Sequence, residues 1–178
     1  MRAIDIHVHV PNAPDVPEGW VDKKEREYFK APPSPTVEEM YQKYVDLDIF
    51  AVIFAIDDET ISGDKCNTND WVADIVKKHP DRFMGFATVD PWKGMLAIQE
   101  VERAVKELGL KGLKLHPQQQ AFFANDIKFY PLWQKCSDLG IPVLFHTGHS
   151  GRGSGIPGGA GLKLKYGAPI PYIDDIAA

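Results

Sequence analysis

Hydrophobic and polar residues alternate strictly along the first segment of the chain, residues 3–10. Because successive side chains of a β-strand point to opposite faces, this period of two predicts a strand. One face carries the apolar residues Ile4, Ile6, Val8 and Val10. The other face carries Asp5, His7 and His9. We expect the apolar face to pack beneath helices and the polar face to present two imidazoles side by side.

The rest of the chain predicts a regular alternation of helices and buried strands. Thr36 to Glu39 form a capping-box pattern, which opens a helix that ends near Leu47. The apolar run 50–56 is typical of a strand that is buried on both faces of a parallel sheet. The later predicted elements are a helix from Thr68 or Asn69 to His79, a strand over 83–89, a helix over 95–108, a strand over 110–116, a helix over 129–139, a strand over 142–147 and a fifth helix from near Pro169.

This alternation, with helices long enough to cross back over a sheet, predicts right-handed βαβ units and an α/β fold. A doubly wound sheet and a (β/α)8 TIM barrel both satisfy it. The polar residues at the predicted strand ends decide between them: His9, Asp57, Asp90, His116 and His146. The strand ends of a TIM barrel converge on one mouth, where active sites of this architecture lie. We therefore expect a TIM barrel.

About five of the eight βα units of such a barrel are present in the 178 residues. We expect residues 1–178 to be the N-terminal portion of a single barrel domain in a longer protein, with completion by a second copy as the alternative. The Pro-rich segment 11–35 is too long for a simple connection. We expect it to be a lid, with a short helix over its charged part, 22–30.

Composition and charge narrow the classes of function. A content of 44% hydrophobic and 25% charged residues is typical of a globular domain with one substantial core. A formal net charge of −5 gives no general attraction for nucleic acid or for an anionic membrane. We find neither a signal peptide nor an apolar stretch of the roughly 20 residues that span a bilayer. We expect a cytoplasmic protein that binds a small-molecule substrate, with a homo-oligomer left open.

His7 and His9 lie two positions apart on one predicted strand, close enough to share a cation. His146 ends the last predicted strand and is the best candidate for a third ligand. Three imidazoles with an open position suit zinc, and manganese or iron become candidates if carboxylates and water complete the shell. The alternative for any one of these histidines is a hydrogen-bonded residue of the core or of a loop.

Lys114 and His116 share one face of the strand 110–116, and both could face the mouth as catalytic residues. The lysine could fix a substrate carboxylate, and the histidine could hydrogen-bond the substrate or move a proton. An ion pair of Lys114 with Asp5 or Asp90 is an equal alternative. The segment 153–158 matches the letters of a dinucleotide fingerprint, but no helix opens there, so we expect a flexible loop.

Four segments carry a resemblance to a known family. They are Ile4-Asp5-Ile6-His7-Val8-His9, His79-Pro80-Asp81-Arg82-Phe83, Gly112-Leu113-Lys114-Leu115-His116-Pro117 and residues 141–148. In this order they resemble the amidohydrolase-related metal-dependent hydrolases, in the branch that includes aminocarboxymuconate-semialdehyde decarboxylase and related aromatic acid decarboxylases. The resemblance implies a distorted (β/α)8 barrel with His7, His9 and His146 as metal ligands. It also implies an acid/base histidine after a sixth strand and an aspartate after an eighth, positions that these residues do not include.

We therefore expect a metal-dependent hydrolase, in which a bound ion lowers the pKa of a water that attacks a small carboxylated or cyclic substrate. Non-oxidative decarboxylation of an aromatic or enoic acid is the alternative that the same family implies. A noncatalytic barrel fragment or binding module is a further alternative, because an unfinished sheet edge can pair with another chain.

Overall fold

The computed structural model describes residues 1–167 and 170–177, which form strands flanked by helices. The strands are β1 (Ala3–His9), β2 (Ile49–Phe54), β3 (Phe83–Gly85), β4 (Ala87–Thr88), β5 (Leu113–Leu115) and β6 (Val143–Phe145). They make two three-stranded sheets, in the orders β1-β2-β3 and β4-β5-β6, with parallel pairing throughout the described residues. Parallel neighbours need a crossover connection, which helices supply here. The predicted α/β class is confirmed.

The helices lie between these strands, as the sequence pattern predicts. They are α1 (Trp20–Phe29), α2 (Val37–Asp46), α3 (Glu59–Ser62), α4 (Asn69–Lys78), α5 (Met95–Lys106), α6 (Pro117–Gln120), α7 (Tyr130–Leu139) and α8 (Ile170–Ala177). The capping box of α2 is present, because Thr36 and Glu39 each accept a hydrogen bond from the other's backbone N–H. The predicted start of the last helix at Pro169 lies outside the described residues. None of the described helices is long and apolar enough to cross a membrane.

The predicted strand 83–89 is divided between the two sheets. β3 pairs with β2, whereas β4 pairs with β5. The Phe86 ring packs directly on the backbone of Gly112, since a Cβ at Gly112 would lie 2.6 Å from that ring. Hydrogen bonding nevertheless continues across Phe86, whose N–H donates to the Ile53 carbonyl at 3.0 Å. The next N–H, of Ala87, donates to the Gly112 carbonyl at 2.7 Å. Residues 83–88 therefore lie between β2 and β5 and join the two sheets.

β1 contains an irregularity that the alternation of residues does not predict. Asp5 lies opposite Ala51 of β2. Val8 lies opposite Ile53, so three steps along β1 oppose two steps along β2. One extra residue of this kind is a β-bulge, which bends a strand and re-aims the side chains beside it. The expectation of strict alternation is therefore wrong between Asp5 and Val8.

The outer face of β1 is less covered than expected. Ile4 is 55% exposed and Ile6 is 58% exposed, whereas Val10 is buried. β1 is an edge strand of its sheet within the described residues. Packing of the apolar face beneath helices is therefore wrong for Ile4 and Ile6, and Val10 alone of these three residues joins the core.

The core lies between the strands and helices α2, α4, α5 and α7. Its buried strand residues include Ala51, Ile53, Phe83, Leu113 and Leu115. Its buried helix residues include Met40, Val72, Ile75, Val101, Ala104 and Leu132. Full burial of one Leu, Ile or Phe side chain favours folding by about 1.5–3 kcal/mol. This packed layer fixes the carboxyl ends of the strands, on which the polar candidates lie.

Candidate metal centre

A cavity of about 1120 Å³ opens at the carboxyl ends of the strands. Four histidines line it: His7, His9, His116 and His146. Much of the remaining wall comes from the Pro-rich segment 11–35, which includes part of α1. Asp57 and Asp90, the other two predicted strand-end residues, do not line the cavity, and the Asp90 N–H donates to the Asp57 carboxylate at 3.1 Å. The structure thus brings the histidines together and leaves these two aspartates outside.

His7 is the central member of the candidate metal site. Its ring centroid lies 5.4 Å from that of His9 and 6.2 Å from that of His146. Two imidazoles that bind one ion at about 2.0–2.1 Å per nitrogen have centroids roughly 5–6 Å apart. Phe54 packs against the rings of His7 and His9, with centroid distances of 5.3 and 5.1 Å. His7 therefore lies close to the separation that a shared ion requires from each of the other two rings.

The donor set fits a divalent ion in its chemistry, although the rings do not form a closed shell. Within residues 1–167 and 170–177, no three His, Cys, Asp or Glu side chains are grouped closely enough to hold a metal. The Nε2 atom of His146 is buried and has no hydrogen-bond partner in that same part of the chain. A buried polar atom without a partner is costly, and a metal ion is a suitable partner for neutral imidazole. His7, His9 and His146 therefore stay the predicted ligands.

The three imidazoles favour the neutral form that binds metals. Burial, and then the charged forms of His7 and Lys114, lower the pKa of His9 to about 4. Burial also lowers the pKa of His7 and the pKa of His146. Because a metal ligand must lose its proton, these shifts weaken the competition between protons and a metal ion at neutral pH.

Lys114 does not reach the cavity. Its side chain is 0% exposed, and its Nζ lies 5.1 Å from the centroid of the Phe54 ring. Burial lowers the pKa of Lys114 to about 8. The alternative ion pair with Asp5 or Asp90 is wrong, because the Lys114 amine has no hydrogen-bond partner within the described residues. The role of Lys114 in fixing a substrate carboxylate stays a prediction, now for a residue behind the cavity wall.

His116 lines the cavity, as expected from its place at a strand end. Its ring stacks on that of His146, with centroids 3.9 Å apart and an angle of 8° between the planes. Its Nδ1 accepts a hydrogen bond from the Gln119 N–H at 3.2 Å. Burial, and then the charged forms of His146 and Lys114, lower the pKa of His116 to about 2. The ring is therefore neutral at physiological pH.

Gln120 is a positioning residue that the sequence pattern does not single out. It is fully buried, and its Oε1 accepts a hydrogen bond from the backbone N–H of His116 at 2.8 Å. Its Nε2 donates to the carbonyls of Asp57 and Val89 at 2.7 and 2.8 Å. These three groups follow β5, β2 and β4, so one side chain ties strand ends of both sheets together. The only signal in the sequence is the run of three glutamines directly after His116-Pro117.

Arg152 links the candidate lid to the loop after β6. Its Nη1 donates to the carboxylates of Asp22 and Glu25 in α1, and the Glu25 contact measures 3.2 Å. Glu25 also accepts a hydrogen bond from the Gly153 N–H. Arg152 itself lines the cavity. Arg152 is therefore one of the attachments of segment 11–35 to the cavity rim, and the role of this segment as a lid stays a prediction.

We expect Arg152→Ala to loosen segment 11–35, because Asp22 and Glu25 would lose their shared cation. Hydrogen bonds to charged groups contribute about 1.5–3 kcal/mol each, so cleavage within the segment should accelerate by roughly 10-fold or more. Limited proteolysis with mass-spectrometric mapping measures this rate. Arg26→Ala is the matched control, because Arg26 pairs with Glu18 inside the same segment. Equal cleavage rates for the two variants would show that Arg152 does not hold segment 11–35 at the cavity rim.

Comparison with known proteins assigns the chain to a family. The Amidohydro_2 model of the amidohydrolases matches residues 4–178. The chain is 31% identical over 78 residues to the 2-amino-3-carboxymuconate-6-semialdehyde decarboxylase of Dictyostelium discoideum, an alignment that covers 44% of this chain and 22% of that protein. It is 32% identical over 99 residues to the gamma-resorcylate decarboxylase of Polaromonas sp. (strain JS666), which covers 52% of this chain and 30% of that protein.

The fold is also similar to a solved structure, the dihydroxybenzoic acid decarboxylase from Polaromonas sp. JS666 with bound manganese and the inhibitor 2-nitroresorcinol. The TM-score is 0.54 at 20% identity, over 80% of this chain and 48% of that chain. The chain thus spans less than a third of the two curated relatives and about half of this structure. Because the family model covers nearly all of the sequence, the resemblance drawn from the motifs is confirmed, and the chain belongs to the Amidohydro_2 family of amidohydrolases.

Proposed function

We propose that the protein is a metal-dependent decarboxylase that removes carbon dioxide from a small aromatic or enoic carboxylic acid without oxidation. The observation that carries this proposal is the meeting of His7, His9 and His146 in one cavity at the strand ends. Both curated relatives described above are decarboxylases, which favours carbon dioxide release over the hydrolysis that we placed first from the sequence.

We further infer that the strands form part of a (β/α)8 barrel. Hydrogen bonding continues from β2 through residues 83–88 to β5, which supports one curved series of parallel strands. Active sites of this architecture lie at the carboxyl ends of the strands. The cavity and its four histidines lie at these ends, so the barrel interpretation also accounts for the position of the site.

His7, His9 and His146 would hold the divalent ion, and His146 would contribute the buried Nε2 atom that has no other partner within the described residues. When bound, such an ion polarises a carboxylate or lowers the pKa of water. Histidine ligands suit zinc. Manganese is an equal candidate, because it is bound in the similar Polaromonas structure.

The reaction needs no oxidant. The bond between the carboxyl carbon and its neighbour breaks, the electron pair stays on the neighbouring carbon, and this carbon takes a proton that solvent water supplies while carbon dioxide leaves. The described cavity wall offers the neutral ring of His116 and the guanidinium of Arg152 to a negatively charged substrate. The hydrolase alternative uses the same metal to activate water, so the product distinguishes the two reactions.

The test compares two substrate classes on one preparation of the purified full-length protein, loaded with zinc or with manganese. We expect carbon dioxide and the matching phenol to form from carboxylated phenols, with no cleavage of lactones or amides. Treatment with a chelator should abolish the release, and adding metal back should restore it. Cleavage of lactones or amides without carbon dioxide would favour the hydrolase, and inactivity of the metal-loaded protein on both classes would remove the proposal.

A further inference from the structure

The two ring nitrogens of His116 have different surroundings. Nδ1 accepts a hydrogen bond from the backbone N–H of Gln119 at 3.2 Å, at the start of α6. A ring nitrogen that accepts a hydrogen bond carries no proton, so the proton of the neutral ring lies on Nε2. Because the donor is a backbone group, this choice of tautomer does not depend on any neighbouring side chain.

The ring of His116 is also fixed in position. One face stacks on His146, with centroids 3.9 Å apart. The His116 backbone N–H donates to Gln120, whose amide is in turn bonded to the carbonyls of Asp57 and Val89. Ring, backbone and strand ends are therefore held together, and the Nε2–H points in a direction that the fold determines.

The Nε2–H of His116 is available to a ligand. No group among the described residues forms a hydrogen bond with Nε2, and Nε2 is not among the fully buried polar atoms without a partner. The side chain lines the cavity. A buried ring with one free N–H donor at a cavity wall can bind an anionic oxygen without first losing another partner.

The carboxylate of Asp58, which lines the same cavity, is already engaged. Its Oδ2 accepts a hydrogen bond from the Gln119 side chain at 2.6 Å. Its Oδ1 accepts from the Ser62 hydroxyl at 3.1 Å and from the Cys66 thiol at 3.3 Å. Asp58 is thus occupied by three donors and leaves the Nε2–H of His116 to a ligand from the cavity.

We propose that His116, held as its Nε2–H tautomer by the Gln119 backbone, determines specificity by donating a hydrogen bond to a carboxylate oxygen of the substrate. The substrate class rests on the proposed function, whereas the tautomer and the free donor rest on the contacts of His116 itself. Because Nε2 already carries the proton, His116 does not act as the general base at this atom. It differs in this respect from the proton-moving role that its sequence position also allows.

The first test determines directly which ring nitrogen of His116 carries the proton. Long-range proton–nitrogen NMR correlations of the isotope-labelled protein, with and without added zinc, distinguish protonated from unprotonated ring nitrogens. We expect His116 to show a protonated Nε2 and an unprotonated Nδ1, and His116→Asn to remove that set of signals and so assign it. A proton on Nδ1, or on both nitrogens at neutral pH, overturns the proposal.

The second test adds 2-hydroxybenzoate to the same sample. We expect the Nε2–H proton of His116 to move downfield, because a hydrogen bond to a carboxylate is shorter and stronger than one to water. Phenol, which lacks the carboxylate, should leave this resonance in place. A resonance that does not respond to 2-hydroxybenzoate, or that responds equally to phenol, counts against the donor role.

Two variants then distinguish the effect of the hydrogen-bond donor on KM from the effect of the ring's shape. His116→Phe keeps a flat ring against His146 but removes the donor, and we expect KM for carboxylated phenols to rise by roughly 10-fold or more. His116→Asn keeps an amide N–H and a good helix-capping oxygen, so it should recover part of the loss. Unchanged KM in His116→Phe overturns the proposal.

Metal content measured on each sample keeps this inference distinct from the proposed function. A protein that binds no metal and releases no carbon dioxide contradicts the proposed decarboxylase. In that case the tautomer of His116 and its response to 2-hydroxybenzoate still decide the inference in either direction. Conversely, an active metal-loaded enzyme whose His116 carries its proton on Nδ1 would support the proposed function and contradict the inference about His116.

Discussion

Replacing His7 and His9 together with alanine is expected to remove the bound divalent metal. Both rings line the cavity, their centroids lie 5.4 Å apart, and they are two of the three proposed ligands. Loss of a single supporting group around a metal already weakens binding by roughly 10–100-fold, so loss of two direct ligands should exceed that. Elemental mass spectrometry on protein purified without chelators measures the metal, which we expect to fall from about one ion per chain to background.

His149→Ala is the matched control for this experiment. His149 is exposed in the loop after β6 and does not line the cavity. Its removal should leave the metal content unchanged, although it also exchanges a histidine for alanine. A thermal unfolding curve for the double variant checks that the protein is folded. A folded double variant with a full complement of metal would show that the ion is held elsewhere. The metal site on which the decarboxylase proposal depends would then be wrong.

The grouping of the cavity histidines can be predicted from the sequence because it follows from strand periodicity. Residues two positions apart on a strand share a face, and the carboxyl ends of parallel strands lie on one side of a sheet. From these two rules alone, without knowledge of side-chain packing, we expect one region of the fold to contain His7, His9, His116 and His146. The same rules applied to Asp57 and Asp90 fail, because those carboxylates accept hydrogen bonds from nearby backbone groups instead.

Lys114 shows why periodicity alone does not define a site. It shares a strand face with His116, yet its amine lies over Phe54 and not in the cavity. The difference depends on how far the side chain reaches and on what fills the space in front of it. Both depend on residues from other strands, so a pattern within one segment cannot supply them.

The fold departs from its predicted form where backbones approach closely or where a residue is inserted. The bulge in β1 adds one residue to the register without changing the apolar pattern of the sequence. The interruption at Phe86 arises where its ring lies on the backbone of Gly112, a contact between segments far apart in the chain. The bulge and the interruption therefore depend on how the strands pair with one another, and the residues of a single strand do not predict them.

Gln120→Leu is expected to destabilise the protein by about 3–5 kcal/mol, because it leaves three backbone groups, two of them buried and one partly buried, without their partner. Those groups are the N–H of His116 and the carbonyls of Asp57 and Val89, bonded at 2.7–2.8 Å. Leucine fills a similar volume, so the loss reports the hydrogen bonds more than the packing. Urea denaturation measures the change in the free energy of unfolding, and the midpoint of thermal unfolding should fall by about 10 °C.

Gln118→Leu provides the comparison within the same helix, α6. Gln118 is also buried, but its Oε1 has no hydrogen-bond partner within the described residues. Removing an oxygen that is already unpaired costs no hydrogen bond, so we expect unchanged or slightly higher stability. Equal destabilisation by the two substitutions would mean that packing around α6, and not the bonds of Gln120, holds the strand ends together. A loss confined to Gln120→Leu would instead identify this amide as the link that keeps both sheets, and His116 with them, in place beside the candidate metal site.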